Sequence, residues 1–204
     1  MTWDWIEPTA AVAGVGVAVA AAGAALFTAL KANATAESMR QIEKDRWHEH
    51  LTPQLRFTFE PQGADLSSVR LRIALEGPTA LEHLDGLAVS IRDDRPNRAA
   101  DQRVLHAGGP TEEEIRDTIW GPYRLRTLAG VDQLGRTAAP QPLRRGEELV
   151  FWLEHTLPPH WGDAASWRRT HVQGKPLRLA IHCNLDGHKP WYLPYEWLPP
   201  ASTA

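Results

Sequence analysis

KPLRLAIHCNLDGHKPWYLPYEW, residues 175–197, decides the fold. Leu177, Leu179, Ile181 and Cys183 occupy alternate positions, so an extended chain puts all four on one face and Arg178 and His182 on the other. Asp186-Gly187 then supplies the residue types that a tight hairpin turn needs at positive φ. The returning run, residues 188–197, carries Pro190 and Pro194, and because proline donates nothing to a ladder this strand belongs at a sheet edge.

The same two-residue period recurs upstream. Residues 54–60 (QLRFTFE) align Leu55, Phe57 and Phe59; residues 68–76 (SVRLRIALE) align Val69, Leu71, Ile73 and Leu75, with Arg70 and Arg72 opposite. Leu87, Val89 and Ile91 alternate next, and residues 147–155 (EELVFWLEH) align Leu149, Phe151 and Leu153. Such patterns mark strands with one buried face in an antiparallel sheet. A shorter strand is expected at 120–127. Thr79 and Glu82, like Thr111 and Glu114, have capping-box spacing and predict short helical turns, the second ending near Ile119. Residues 163–170 (DAASWRRT) read as one more helical turn, and 93–109 and 128–145 as long loops broken by Gly and Pro. About seven strands without a long amphipathic helix among them predict a mainly β fold, an immunoglobulin-like antiparallel β-sandwich over residues 53–199, with 200–204 as a tail. The Cys–Trp–Cys signature of antibody domains is absent, since Cys183 is the single cysteine.

Ahead of the sandwich the pattern is helical. Residues 10–30, AAVAGVGVAVAAAGAALFTAL, hold no charge over 21 positions. At about 1.5 Å per residue a helix of that length covers roughly 30 Å, the hydrocarbon thickness of a bilayer. Its seven Val, Leu and Phe side chains contribute only about −2 to −4 kcal/mol towards insertion. A cleaved secretory signal is the competing reading, favoured by the small-x-small triplet Ala32-Asn33-Ala34 and opposed by an acidic leader and an apolar run longer than ~15 residues; a buried core helix is the third. Residues 1–9 contain no Lys or Arg, whereas Lys31, Arg40, Lys44 and Arg46 follow the run. The positive-inside rule therefore places the leader outside the cell and the C-terminal domain in the cytoplasm. Residues 31–52 lack Gly, and Pro53 ends their helix-forming run, so they are expected to continue the transmembrane helix as a juxtamembrane stalk. Ala10, Gly14, Ala18 and Ala22 recur every four residues, a spacing that permits homo-oligomers through close helix contact.

Composition narrows the function. All 22 Lys and Arg lie beyond residue 30, against 25 acidic residues of which only Asp4 and Glu7 precede it, so the remainder carries a formal charge of −1. A nearly neutral portion with no basic block argues against a nucleic-acid partner. No Gly-x-Ser-x-Gly elbow, paired-cysteine metal motif or phosphate-cradling glycine loop occurs. His182, Cys183 and His188 bracket the hairpin, but neighbours in a strand point to opposite faces, and the alternation turns Cys183 inward as a packed thiol. The expectation is a protein without catalytic residues, metal or cofactor. Tryptophan is the excess: nine, of which six lie from residue 120 onward. Trp161, Trp167, Trp191, Tyr192, Tyr195 and Trp197 are the candidate interaction surface, because large amphipathic rings suit partners and sugars alike.

The order Ala36-Glu37-Ser38 to Arg46, then Leu51-Thr52-Pro53-Gln54 entering a strand, with the junction EKDRWHEHLTPQL, resembles uncharacterised bacterial, especially actinobacterial, single-pass membrane proteins with a charged juxtamembrane helix and a β-domain. The resemblance implies a membrane-anchored cytoplasmic domain and transfers no catalytic residue. Together these readings predict a non-catalytic interaction module, held in membrane lipid by its span and presenting a β-sandwich to a protein partner at the cytoplasmic face. The alternative is a saccharide-binding sandwich outside the cell, which requires reversed topology or a cleaved signal.

Overall fold

Val69, Leu71, Ile73 and Leu75 are withdrawn from water, and the strand carrying them lies inside the first of two four-stranded sheets. The computed structural model describes residues 31, 35–63, 66–92 and 109–200. The chain divides into two units, Met1–His50 and Leu51–Ala204. In the first, residues 35–50 form helix α1, with Met39, Ile42 and Trp47 exposed and Gln41 Nε2 donating to Asp45 Oδ1 one turn on, at 3.1 Å. The expected span at 10–30 and nearly all of the expected loop at 93–109 lie outside the described residues. Among the described residues no helix is long and apolar enough to cross a membrane.

The second unit is mainly β. Its strands are β1 (Gln54–Gln62), β2 (Ser68–Gly77), β3 (His83–Ile91), β4 (Tyr123–Leu125), β5 (Thr137–Arg144), β6 (Glu148–His155), β7 (Leu177–Asn184) and β8 (Trp191–Trp197). Helix α2 (Glu112–Asp117) precedes β4, and α3 (Ala164–Trp167), running into a π-helical turn (Arg168–Val172), lies between β6 and β7. One sheet has the order β1-β2-β6-β4, the other β5-β3-β7-β8, and every named strand pair is antiparallel. The alternating apolar rows meet between the sheets. Leu71 and Ile73 of β2, Leu153 of β6, Leu87 and Val89 of β3, and Leu179 and Ile181 of β7 are all fully buried. This is the arrangement in which two half-apolar sheets each supply the other's non-aqueous surface.

Polar positions of β1, β2 and β6 pair across the strands. Arg70 and Arg72 both bind the Glu60 carboxylate, Arg72 also reaches Glu148 at 3.3 Å, and Arg56 lies 2.8 Å from Glu76. The Arg70 hydrogen bond and charge, with help from Arg72, hold the Glu60 carboxyl below its ordinary range. Exposed pairs of this kind add little stability, but they set register by penalising like charges opposite one another.

Three expectations are corrected. Among the described residues the strands number eight rather than about seven, because β5 lies inside the stretch expected as a loop at 128–145. Its buried residues, Ala138 and Leu143, are five apart, which breaks the two-residue period, and two register shifts against β3 account for the odd spacing. Pro140 and Pro142 fit there because β5 is an edge strand. The turn at Thr79 is not helical: Leu81 N–H donates to Pro78 O at 2.9 Å and Leu81 is buried, while the Arg145 guanidinium donates to the carbonyls of Pro78, Thr79 and Leu81. A distant arginine and a buried leucine thus outweigh the local capping signal. The strand expected at 120–127 contracts to β4, whereas the capping box at Thr111 forms with both its hydrogen bonds.

Core packing therefore dominates stability. Leu71→Ala should cost about 2–5 kcal/mol in equilibrium denaturant unfolding, and Arg70→Ala, opposite Glu60 in the charge ladder, a small fraction of that. Equal costs would contradict the assignment of the sandwich interior.

Candidate functional site

Most of the expected aromatic surface is folded inward. Trp191 is only 5% exposed and belongs to the core. Tyr195 stacks on Phe57 with ring centroids 3.9 Å apart, and Trp197 stacks on Phe59 at 4.2 Å. These pairs join β8, at the edge of one sheet, to β1, at the edge of the other, and seal that side of the sandwich. Tyr192 remains exposed and meets the His182 ring edge-on at 4.9 Å. The predicted platform is therefore divided, and two of its members, Trp161 and Trp167, line one concave surface.

That surface is a cleft of about 440 Å³, within the size range of small-molecule sites. One wall comes from the β3–β4 connection. There the Thr111 hydroxyl accepts from Glu114 N–H at 3.2 Å, and the Glu114 carboxylate accepts from Thr111 N–H at 2.8 Å, which fixes α2. The Thr111 N–H and the Thr111 hydroxyl, which also donates to that carboxylate at 3.1 Å, keep the Glu114 carboxyl below its usual range, with a smaller contribution from His160. Trp120 follows α2, its indole Nε1–H donating to Ile115 O at 3.1 Å, so this ring is anchored to the preceding helix. Thr156, at the end of β6, locks the next residues by donating through its hydroxyl to Gly121 O at 2.6 Å.

The opposite wall is the β6–β7 connection. Pro159 O accepts from Gly162 N–H at 2.9 Å, closing a turn that carries Trp161, and Asp163 Oδ2 caps α3 by accepting from Ser166 N–H at 2.7 Å. The π turn then widens the helix, with Gln173 N–H donating back five residues to Arg168 O. Such widened turns are found often at functional positions. Here the turn brings His171 to 4.3 Å from the Trp167 ring and edge-on to Trp120 at 5.2 Å, while Trp120 and Trp167 lie 5.2 Å apart. Trp120, Trp167 and His171 thus form one aromatic wall, Trp161 adds a half-buried ring, and Asp163, Ser166 and Thr170 add polar groups.

Trp167 is 6% exposed, and its buried Nε1–H has no hydrogen-bond partner among the described residues. A buried donor left unpaired costs about 1–3 kcal/mol, so native structures rarely retain one without a use. No family model, curated protein or solved structure matches the chain. The cleft must therefore be read from its own chemistry.

The residues weighed for nucleophilic or metal chemistry sit elsewhere. Cys183 is sealed in the core, and burial pushes its thiol up to about 12. His182 points to the opposite face, exposed beside Tyr192, and His188 stacks on Trp191. Among the described residues no three His, Cys, Asp or Glu side chains are grouped to hold a metal ion. Trp120, Asp163, Ser166, Thr170 and His171 were not among the residues expected to bind. The local signals were present, an Asp-led helical turn and a tryptophan directly after a capped helix, but their convergence belongs to the tertiary structure.

Cys183 sets an alkaline limit. Its proton is lost more readily from the unfolded chain, so its contribution to stability is complete below the ordinary thiol range near pH 9 and declines as pH rises towards 12. Chemical unfolding at pH 8, 9.5 and 10.5 should show that decline, reduced in Cys183→Ala measured against its own pH 8 value. A thiol reagent at pH 8 should label the wild-type protein only on unfolding, and rapid labelling of the native state would overturn the buried placement.

Proposed function

We propose that the chain is a membrane-tethered, non-catalytic binding module that engages its partner with the aromatic cleft rather than with its C-terminal edge. The cleft carries this reading. Three tryptophans and a histidine gather on two connections between strands, and one of them, Trp167, has a buried indole N–H without a partner among the described residues. Large rings in concave, partly desolvated positions are the residues most often responsible for affinity. Catalysis draws less support, because the one thiol is buried and protonated.

The strand order supports an immunoglobulin-like scaffold. β1-β2-β6-β4 facing β5-β3-β7-β8 matches the A-B-E-D and C′-C-F-G sheets of that class, with one difference: the strand beside β3 follows β4 in the chain instead of preceding it. The tether rests on the 21 uncharged residues at 10–30, and the cytoplasmic orientation on Lys31, Arg40, Lys44 and Arg46 behind them. Small residues in that run permit pairing of copies in the bilayer.

The small-molecule fraction of a cell extract, added to the full chain in detergent, should shift tryptophan emission in the wild type and not in Trp161→Ala. Mass spectrometry should recover the bound component chemically unchanged. An unresponsive wild type would overturn the binding reading, and conversion of the component would overturn the absence of catalysis.

A further inference from the structure

The cleft's polar groups restrict what it can hold. Among the described residues its lining contains no Lys or Arg, so they offer an anionic ligand no counter-charge. Trp167 lines the cleft, and its buried Nε1–H has no partner among the described residues, so a ligand that carries an acceptor can pair it and a quaternary ammonium cannot. Asp163 adds a carboxylate that only accepts hydrogen bonds, and Ser166 and Thr170 add hydroxyls that both donate and accept; a proline-rich segment, which presents carbonyls and few N–H groups, would leave the carboxylate unmatched. The ring surfaces of Trp120 and Trp161 meanwhile demand an apolar face. A neutral saccharide meets all these conditions, with C–H groups for the indole surfaces and hydroxyls that both donate and accept. We propose that the cleft between the β3–β4 and β6–β7 connections is a binding site for a neutral saccharide of one or two rings. The proposal rests on the binding-module reading and gives it a ligand class. A volume of about 440 Å³ suits one or two sugar rings and is small for a longer oligomer. In the bound state Trp161 and Trp120 cover the sugar's C–H face, Trp167 Nε1–H donates to a sugar oxygen, and sugar hydroxyls donate to Asp163, Ser166 and Thr170.

The test uses the full chain in detergent, with the indole N–H resonances assigned by single Trp variants. Maltose, lactose, trehalose, cellobiose and mannobiose are titrated, with glucose 6-phosphate, choline and tetraproline as comparators. At least one neutral sugar should shift the Trp167 indole N–H resonance in a saturable manner, while the three comparators leave it in place. Trp161→Ala should weaken that binding about tenfold or more. Trp167→Phe, which keeps a ring but removes the donor, should weaken it a few-fold to about tenfold. Both variants should retain the wild-type unfolding midpoint to within a few degrees; should Trp167→Phe fail to fold, the Trp161→Ala titration and the wild-type indole resonance decide alone. A shift with choline, tetraproline or the phosphorylated sugar in place of neutral sugars would overturn the saccharide assignment. So would a sugar response untouched by Trp161→Ala. No response to any neutral sugar, with the extract response intact, would sink the saccharide and leave the binding module standing; silence in both would sink both.

Discussion

Two sheets, each apolar on one face, must bury those faces against one another, and every other feature of the domain follows from that contact. Leu71 and Ile73 from one sheet and Leu179 and Ile181 from the other are wholly removed from water. At about 25 cal/mol per Å² this apolar burial far exceeds what the surface ion pairs around Glu60 contribute. The sheets cannot slip by one residue without turning whole rows of leucine and isoleucine towards solvent. Their rigidity gives the connections at the sandwich ends a fixed frame.

The edges and ends of such a sandwich are its exposed problem. One side is closed by ring stacking, Tyr195 on Phe57 and Trp197 on Phe59. The opposite edge strands are short, as in β4, or interrupted by proline, as in β5, and both devices discourage unwanted strand pairing. At the end reached by the β3–β4 and β6–β7 connections, short helices stand in for strand pairing. Tyr123 helps hold that end by donating through its hydroxyl to Leu66 O at 2.9 Å. Capping bonds at Thr111 and Asp163 make those helices regular, and the π turn departs from regularity where His171 enters the aromatic wall. Capped helices thus flank the cleft, and the π turn interrupts that regularity within it, as expected of a place shaped for contact.

Much of the fold was legible because strand period and burial coincide. β1, β2, β3, β6 and β7 were each visible as alternating rows, β8 as the return of the hairpin at Asp186-Gly187, and the inward position of Cys183 followed from the same parity. β5 was not, since its register shifts place Ala138 and Leu143 at odd spacing. The turn at Thr79 was misread because Arg145, far along the chain, takes the carbonyls that a helical turn would have used. The aromatic residues were conspicuous, but composition cannot tell a ring that seals a sheet edge from one that lines a cleft. Trp191 and Trp161 look alike in sequence; one is core and the other rims the cavity.

The sequence by itself determined the strand-forming rows, the capped helix at Thr111, the edge character of β8 and the near-neutral charge of the chain beyond residue 30. These depend on neighbours within a few residues, where backbone geometry dictates which side chains share a face. Only the tertiary structure decided the pairing order of the strands, the existence of β5 and the meeting of Trp120 with Trp167 and His171. Those contacts join residues some 50 positions apart and arise from closing two sheets on one core, which no local period records.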